Sequence, residues 1–194
     1  MVLVEGATFG MGSDPEAETP LIETPRHDVT VKPFCLDVTE VTASAYAQCG
    51  SCKPSLRTVE FEGLTPSGLS FDSQFCNGPD AGDHPINCVD WHQAKAYCET
   101  LGRRLPTEAE WELSARGKAG RLYPWGQAPP SGKRLNACGP ECSRMLTERR
   151  EKVGKDPSLL KMYDDDDTAP ATAPVGLPGT GHPRPPANEP QPSG

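Results

Sequence analysis

Apolar residues fall in short clusters along the first two thirds of the chain, separated by Gly, Pro and acidic residues. Such spacing predicts brief elements rather than long ones. Met1 to Val4 and Phe9 to Met11 read as two strands on either side of a Gly-containing turn. His27-Asp28-Val29-Thr30-Val31 alternates polar and apolar, the period of a half-buried strand, and Phe34-Cys35-Leu36 continues after Pro33. Thr42 is placed to cap a short helix through Tyr46 to Cys49, with Gly50 just past its end.

Two stronger helix signals follow. Asp90 and Gln93 have capping-box spacing, ahead of Trp91, Ala94, Cys98 and Leu101 at helical intervals and Gly102 as a stop. Thr107 and Glu110 repeat the device, with Trp111 and Ala115 on one face and Gly117 at the end. Helices at 91–101 and 108–116 are therefore expected, joined by Arg103-Arg104-Leu105-Pro106. Tyr123-Pro124-Trp125-Gly126 reads as a tight aromatic turn.

Composition changes the picture towards the end of the chain. Of 194 residues, 22 are Pro and 19 Gly, and hydrophobic residues make up 35%. This balance suits a loop-rich fold. Residues 127–167 are polar and charged, and from Ala169 the chain carries little to bury. The expectation is one domain over 1–176 and a disordered Pro/Gly-rich tail over 177–194.

The net charge of −8 argues against nucleic acid or an anionic membrane surface as partner, both of which need clustered Lys and Arg. No apolar run has membrane-spanning length. Met1 leads into Val2-Leu3-Val4 without a basic n-region or cleavage site, so no signal peptide is read there. Eight cysteines favour an extracytoplasmic, oxidising compartment; the alternative is a cytosolic chain whose cysteines are thiols or ligands.

Several of the motifs together resemble the formylglycine-generating-enzyme (sulfatase-modifying factor) family. They are residues 1–13, Pro25-Arg26-His27-Asp28-Val29, Asp37-Val38-Thr39-Glu40-Val41-Thr42 and His84-Pro85-Ile86-Asn87-Cys88-Val89-Asp90-Trp91. The most specific is Gly102-Arg103-Arg104-Leu105-Pro106-Thr107-Glu108-Ala109-Glu110-Trp111-Glu112, followed in order by Tyr123-Pro124-Trp125-Gly126 and Thr172-Ala173-Pro174-Val175-Gly176. The resemblance covers roughly residues 1–176. It implies an α+β, C-type-lectin-like fold with short strands and few helices. The family includes oxidases that convert a sulfatase cysteine to formylglycine with a cysteine pair, copper and O2, alongside lectin-like relatives with other roles. A protein or peptide partner is what the resemblance implies.

The family pattern continues into a Gly-Asn-x-Trp-Glu-Trp motif, an Arg-Gly-Gly-Ser stretch and the catalytic cysteines. Between Leu177 and Gly194 none of these occurs. The ending is therefore read as abnormal, through a frameshift or early stop, with a true linker as the alternative. No catalytic residue is assigned. Oxidase activity is not expected, and copper is expected only in a full-length family enzyme. The competing expectations are a lectin-like binding module, supported if the surface around Trp91, Trp111 and Trp125 is exposed, or a fragment of an intact oxidase.

The cysteines carry further readings. Cys49-Gly50-Ser51-Cys52 follows a helix, where the dipole disfavours a thiolate, so a local or long-range disulfide outweighs a redox pair. A four-sulfur zinc site with Cys138 and Cys142 is the weaker reading of both pairs. Cys76 and Cys88 bracket a Gly-Pro-Asp loop as a disulfide would. The resemblance pairs Cys98 with a cysteine beyond this sequence, which leaves it a thiol here or pairs it with Cys35. His27, His84, His92 and His182 read as structural or exposed.

Asp164–Asp166 read as a solvated acidic loop. Asp167, five residues before Thr172, and Asn136 match the family's calcium-ligating Asp and Asn. The resemblance therefore implies a structural calcium held by Asn136, Asp167 and the carbonyls of Ala137 and Ala169, oxygen donors of the kind calcium takes.

Overall fold

The computed structural model describes residues 1–15, 23–53, 59–61, 69–71, 76–152, 163–169 and 171–176. The expected tail, 177–194, lies outside them, as does His182. Contacts divide the chain into two units. One holds Met1–Val38 and Pro106–Pro129, the other Thr39–Leu105 and Pro130–Gly181.

The first unit has two antiparallel strand pairs. Strand β1 (Val2–Val4) pairs with β4 (Phe34–Leu36), Val4 facing Phe34. Strand β2 (Ala7–Met11) pairs with β3 (His27–Val31), Ala7 facing Val31. The two opening strands therefore do not form a hairpin with each other. Each takes its partner from the segment after His27, and the two pairs belong to separate sheets.

Alternation along β3 has the expected sense: Val31 is buried and Val29 half-buried between exposed neighbours. With Phe9 and Leu113 it forms the core, packed by Ala7, Met11, Phe34 and Ala109. Burying side chains of this size contributes about 1.5–3 kcal/mol each.

Leu113 comes from the helix Glu108–Arg116, which lies against β2 and β3. Its capping box is formed: Thr107 Oγ1 accepts from Glu110 N at 3.2 Å, and Glu110 Oε2 accepts from Thr107 N at 2.8 Å. Gly117, at φ 64°, ends it. The buried face is Glu110, Leu113, Ser114 and Ala115. Trp111, placed on one face with Ala115 by spacing, is 56% exposed while Ala115 is buried.

A polar clamp fastens this helix to the end of β2. Glu112 Oε1 accepts from Gly12 N at 3.0 Å, and Arg116 donates to Gly12 O at 3.0 Å and to Glu112 at 2.7 Å. Gly12 sits at φ 83°, and a Cβ there would come within 2.7 Å of Glu23 O. Only glycine meets both demands without strain.

The second unit begins with helix α1 (Ala43–Ala47), capped by Thr42 as expected and closed by Gln48, two residues before Gly50. Strands β5 (Val59–Phe61) and β6 (Leu69–Phe71) pair antiparallel. Helix α2 spans Trp91–Thr100 with the Asp90/Gln93 capping box complete; the Glu108–Arg116 helix of the first unit is then α3.

The expected apolar stripe of α2 is not its buried one. Trp91 is 61% and Leu101 50% exposed, while Gln93 is buried, its amide turned back into the cap. Tyr97 stacks on Tyr46 with ring centroids 5.4 Å apart.

Helix α4 (Pro140–Lys152) was not expected. Its face is too polar to show an apolar period, yet Pro140 at its first position, Glu141 in its first turn and Arg149, Arg150 and Lys152 near its end are start and stop signals.

Candidate metal centre

Three stretches of the second unit converge here: Leu135–Ala137, the first turn of α4, and Tyr163–Ala169. The buried Tyr163 hydroxyl organises them. Its oxygen lies 2.6 Å from Leu135 O and 2.6 Å from Asp167 Oδ2, and accepts from Ala137 N at 2.8 Å. Burial, the bond to Asp167 and then the Glu141 charge push the phenol well above its usual range.

Asp167 closes the loop. Its Oδ1 accepts from Ala169 N at 2.9 Å and its Oδ2 from Ala137 N at 3.2 Å. Asp166 Oδ1 accepts from Thr168 N at 2.6 Å, which holds Thr168 at φ 67°. The structure thus brings Asp167, Ala137 and Ala169 together. The contacts are to the two backbone N–H groups, and the Ala137 carbonyl accepts from Gly139 N at 3.0 Å. Asn136 is half-buried beside Ala137.

Sequence reasoning missed Glu141. Its side chain is 6% exposed, and its carboxyl is set against that of Asp167, close enough to share a proton with it. One oxygen from each of Glu141, Asp166 and Asp167 lies within 4.8 Å of the others. Burial first, then the Asp167 and Asp166 carboxylates, push the Glu141 carboxyl up from its ordinary value. Asp166, read as part of a solvated loop, is exposed as expected but contributes its carboxylate to this group. The sequence signal was the helix start at Pro140-Glu141, which α4's polarity concealed.

A second polar constellation ties residues 171–176 to the rest of the unit. Thr172 Oγ1 lies 2.8 Å from His84 Nδ1 and accepts from Asn77 Nδ2 at 3.1 Å; Val175 N donates to Asp83 O at 2.9 Å.

Six cysteines form disulfides: Cys49–Cys52, Cys76–Cys88 and Cys138–Cys142. The first two agree with expectation. The third, with the first, overturns the zinc reading, because disulfide sulfurs are not thiolate ligands. Cys35, exposed, and Cys98, half-buried, remain thiols and are not joined to each other. Copper(I) takes soft thiolate donors; six of the eight sulfurs are committed to disulfides, and the two thiols left, Cys35 and Cys98, belong to different units.

The strand pairs, the Thr107/Glu110-capped helix and the Thr172 network are the framework of an α+β domain of the formylglycine-generating-enzyme type. Residues 1–164 match the family described as "Sulfatase-modifying factor enzyme 1-like domain", and the chain belongs to that family.

Among its relatives is the formylglycine-generating enzyme of Bos taurus, 32% identical over 165 residues, covering 69% of this chain and 44% of the relative. The inactive C-alpha-formylglycine-generating enzyme 2 of the same species is 34% identical over 158 residues, covering 65% and 52%. The serine/threonine-protein kinase pkn1 of Chlamydia pneumoniae is 37% identical over 132 residues, covering 66% and 21%. Among solved structures, PvdO from Pseudomonas aeruginosa superposes with a TM-score of 0.50 at 28% identity, covering 70% of this chain and 56% of PvdO. The chain therefore spans about half, or less, of the length of the curated relatives it matches.

Proposed function

We propose that this chain acts as a disulfide-stabilised, calcium-binding member of the family that binds a protein or peptide partner and carries no oxidase chemistry of its own. The disulfide pattern carries this reading. A copper-dependent oxidase step needs two adjacent thiolates, and six of eight cysteines are oxidised in local pairs. A relative whose name marks it inactive shows that the family holds such members.

Asn136, Ala137, Asp167 and Ala169 are read as the calcium set. The support is proximity alone: the N–H groups of Ala137 and Ala169 donate to the Asp167 carboxylate and so hold it beside both residues. Exposed Trp91 and Trp111, each within its own unit, support a binding role; Trp125, the third tryptophan of that expectation, is half-buried, stacked on Tyr123 and donating to Ala128 O. Three disulfides favour an extracytoplasmic setting, and among the described residues no helix is long and apolar enough to cross a membrane.

The test is to supply copper(I), O2 and a sulfatase-derived cysteine peptide to the purified chain and follow formylglycine by mass spectrometry. No conversion is expected. Conversion above a protein-free control overturns the reading in favour of an oxidase.

A further inference from the structure

We infer that the Cys49–Cys52 disulfide is an exchange site, which accepts electrons from a peptide carrying two neighbouring cysteines seated in the cleft beside it. The inference goes beyond partner binding and needs neither metal nor oxygen. The cleft lies within the second unit, at the end of α1. Its volume is about 260 Å³, and both cysteines line it together with Tyr46, Ala47, Pro79 and Ile86. Such apolar walls suit the side chains that flank a substrate cysteine. Approach is open among the described residues. Cys49 and Cys52 are half-buried, Gly50 and Ser51 between them are exposed, and a Cβ on Gly50 would meet nothing within 4 Å.

The decisive observation is that this turn is held by more than its S–S bond. Cys52 N donates to Cys49 O at 3.2 Å, and the buried Tyr46 donates its hydroxyl to Lys53 O at 2.8 Å. Tyr46 is itself stacked on Tyr97. The two sulfurs therefore stay neighbours when the bond opens, and the pair closes again without refolding. As a staple the pair adds little. Its cysteines are 3 positions apart, against 12 for Cys76 and Cys88, so it removes less chain entropy.

The groups around the pair divide the roles. Lys53 lines the cleft next to Cys52, and its ammonium draws a thiolate towards that sulfur. Ser51 Oγ lies 3.8 Å from Cys49 Sγ. Thr100 Oγ1 is as close but gives its proton to Tyr97 O. In the first step a substrate thiolate attacks Cys52 Sγ. A new S–S bond forms, the Cys49–Cys52 bond breaks, and the electron pair leaves on Cys49 Sγ, within reach of the Ser51 hydroxyl. The C-terminal end of α1 disfavours a thiolate there, so Cys49 takes a proton from water. In the second step the other substrate thiolate attacks the substrate sulfur of the mixed disulfide and releases Cys52. The substrate leaves as a disulfide, having lost two electrons and two protons, and the chain holds a dithiol. A single thiol stalls at the mixed disulfide and is expelled by the adjacent Cys49, so two substrate cysteines are required.

The test is reduction of the parent chain by a synthetic peptide with leucines flanking a Cys-Gly-Gly-Cys core, and separately by mercaptoethanol at equal thiol concentration. Samples are quenched in acid and alkylated, and the state of each cysteine pair is read by mass spectrometry. Near-UV circular dichroism follows the fold. The peptide is expected to reduce Cys49–Cys52 about tenfold or more faster than Cys76–Cys88 and Cys138–Cys142, a preference that mercaptoethanol does not reproduce. The near-UV spectrum is expected to persist while this pair opens. Equal rates for the three pairs, the same preference with mercaptoethanol, or loss of the near-UV signal as Cys49–Cys52 opens would each overturn the inference. None of these results bears on the non-oxidase reading, which rests on its own formylglycine assay.

Discussion

Thr172 Oγ1 lies 2.8 Å from Nδ1 of His84, 88 positions earlier in the chain. Together with Asn77 it anchors residues 171–176 across the second unit. Replacing Thr172 with Val keeps the shape and removes the hydroxyl, leaving His84 and Asn77 short of a partner. A loss of about 1–3 kcal/mol is expected, read as a lower midpoint in urea. Thr172→Ser should recover most of it, and an unchanged midpoint in Thr172→Val would show that the contact is idle.

Glu112 and Arg116 hold Gly12 from both sides, by its N–H and by its carbonyl. Glu112→Ala leaves the Gly12 N–H without its acceptor and Arg116 without its ion pair. The expected cost is about 2 kcal/mol. Gly12→Ala should also destabilise, through its φ of 83° and the approach of Glu23 O.

Tyr163 ionises later in the folded chain than in the unfolded one, where the ordinary value is 10.0. The unfolded form therefore gains from deprotonation first. Stability from this group is full below about pH 10 and is lost as pH rises beyond it. A tyrosinate absorbance titration should show part of its amplitude appearing only with alkaline unfolding. Tyr163→Phe should remove that part and lower stability at neutral pH by about 1–3 kcal/mol, since Ala137 N and Leu135 O lose a partner. A Tyr163→Phe titration that superposes on the parent curve would contradict the arrangement.

The cysteine pattern is open to direct chemistry. Alkylation of the native, unreduced chain should label Cys35 readily and leave six sulfurs protected; after reduction all eight should react. Reduction should also lower the melting temperature, since opening the 12-residue Cys76–Cys88 separation alone removes about 2–3 kcal/mol in the loop-entropy picture.

Much of the framework was legible in the sequence because its determinants are local. Thr42, Asp90 and Thr107 announce their helices within four residues, and the alternation in His27–Val31 marks a half-buried strand. Strand partners were not legible, since nothing within β1 or β2 says that each pairs beyond His27. The burial sense of α2 and α3 was not legible for a related reason. Trp91 and Trp111 have the size and spacing of core residues, but the cap at Gln93 and the set Glu110, Leu113 and Ser114 decide which side turns inward. At the candidate metal centre, the family resemblance pointed to Asn136, Asp167 and the two alanines, and the structure brings Asp167 beside Ala137 and Ala169. The resemblance did not lead to Glu141 or Tyr163, because α4 has only Met145 and Leu146 as large apolar residues and the proximity of residue 141 to 166–167 is purely tertiary.

The central claim is that these residues do not perform the oxidase step, and the peptide assay addresses it most directly. The chain is supplied with copper(I), O2 and a cysteine peptide, and formylglycine is measured by mass spectrometry alongside O2 uptake. The account predicts unmodified peptide and no uptake above the protein-free control. Formylglycine formed in proportion to the chain would contradict it.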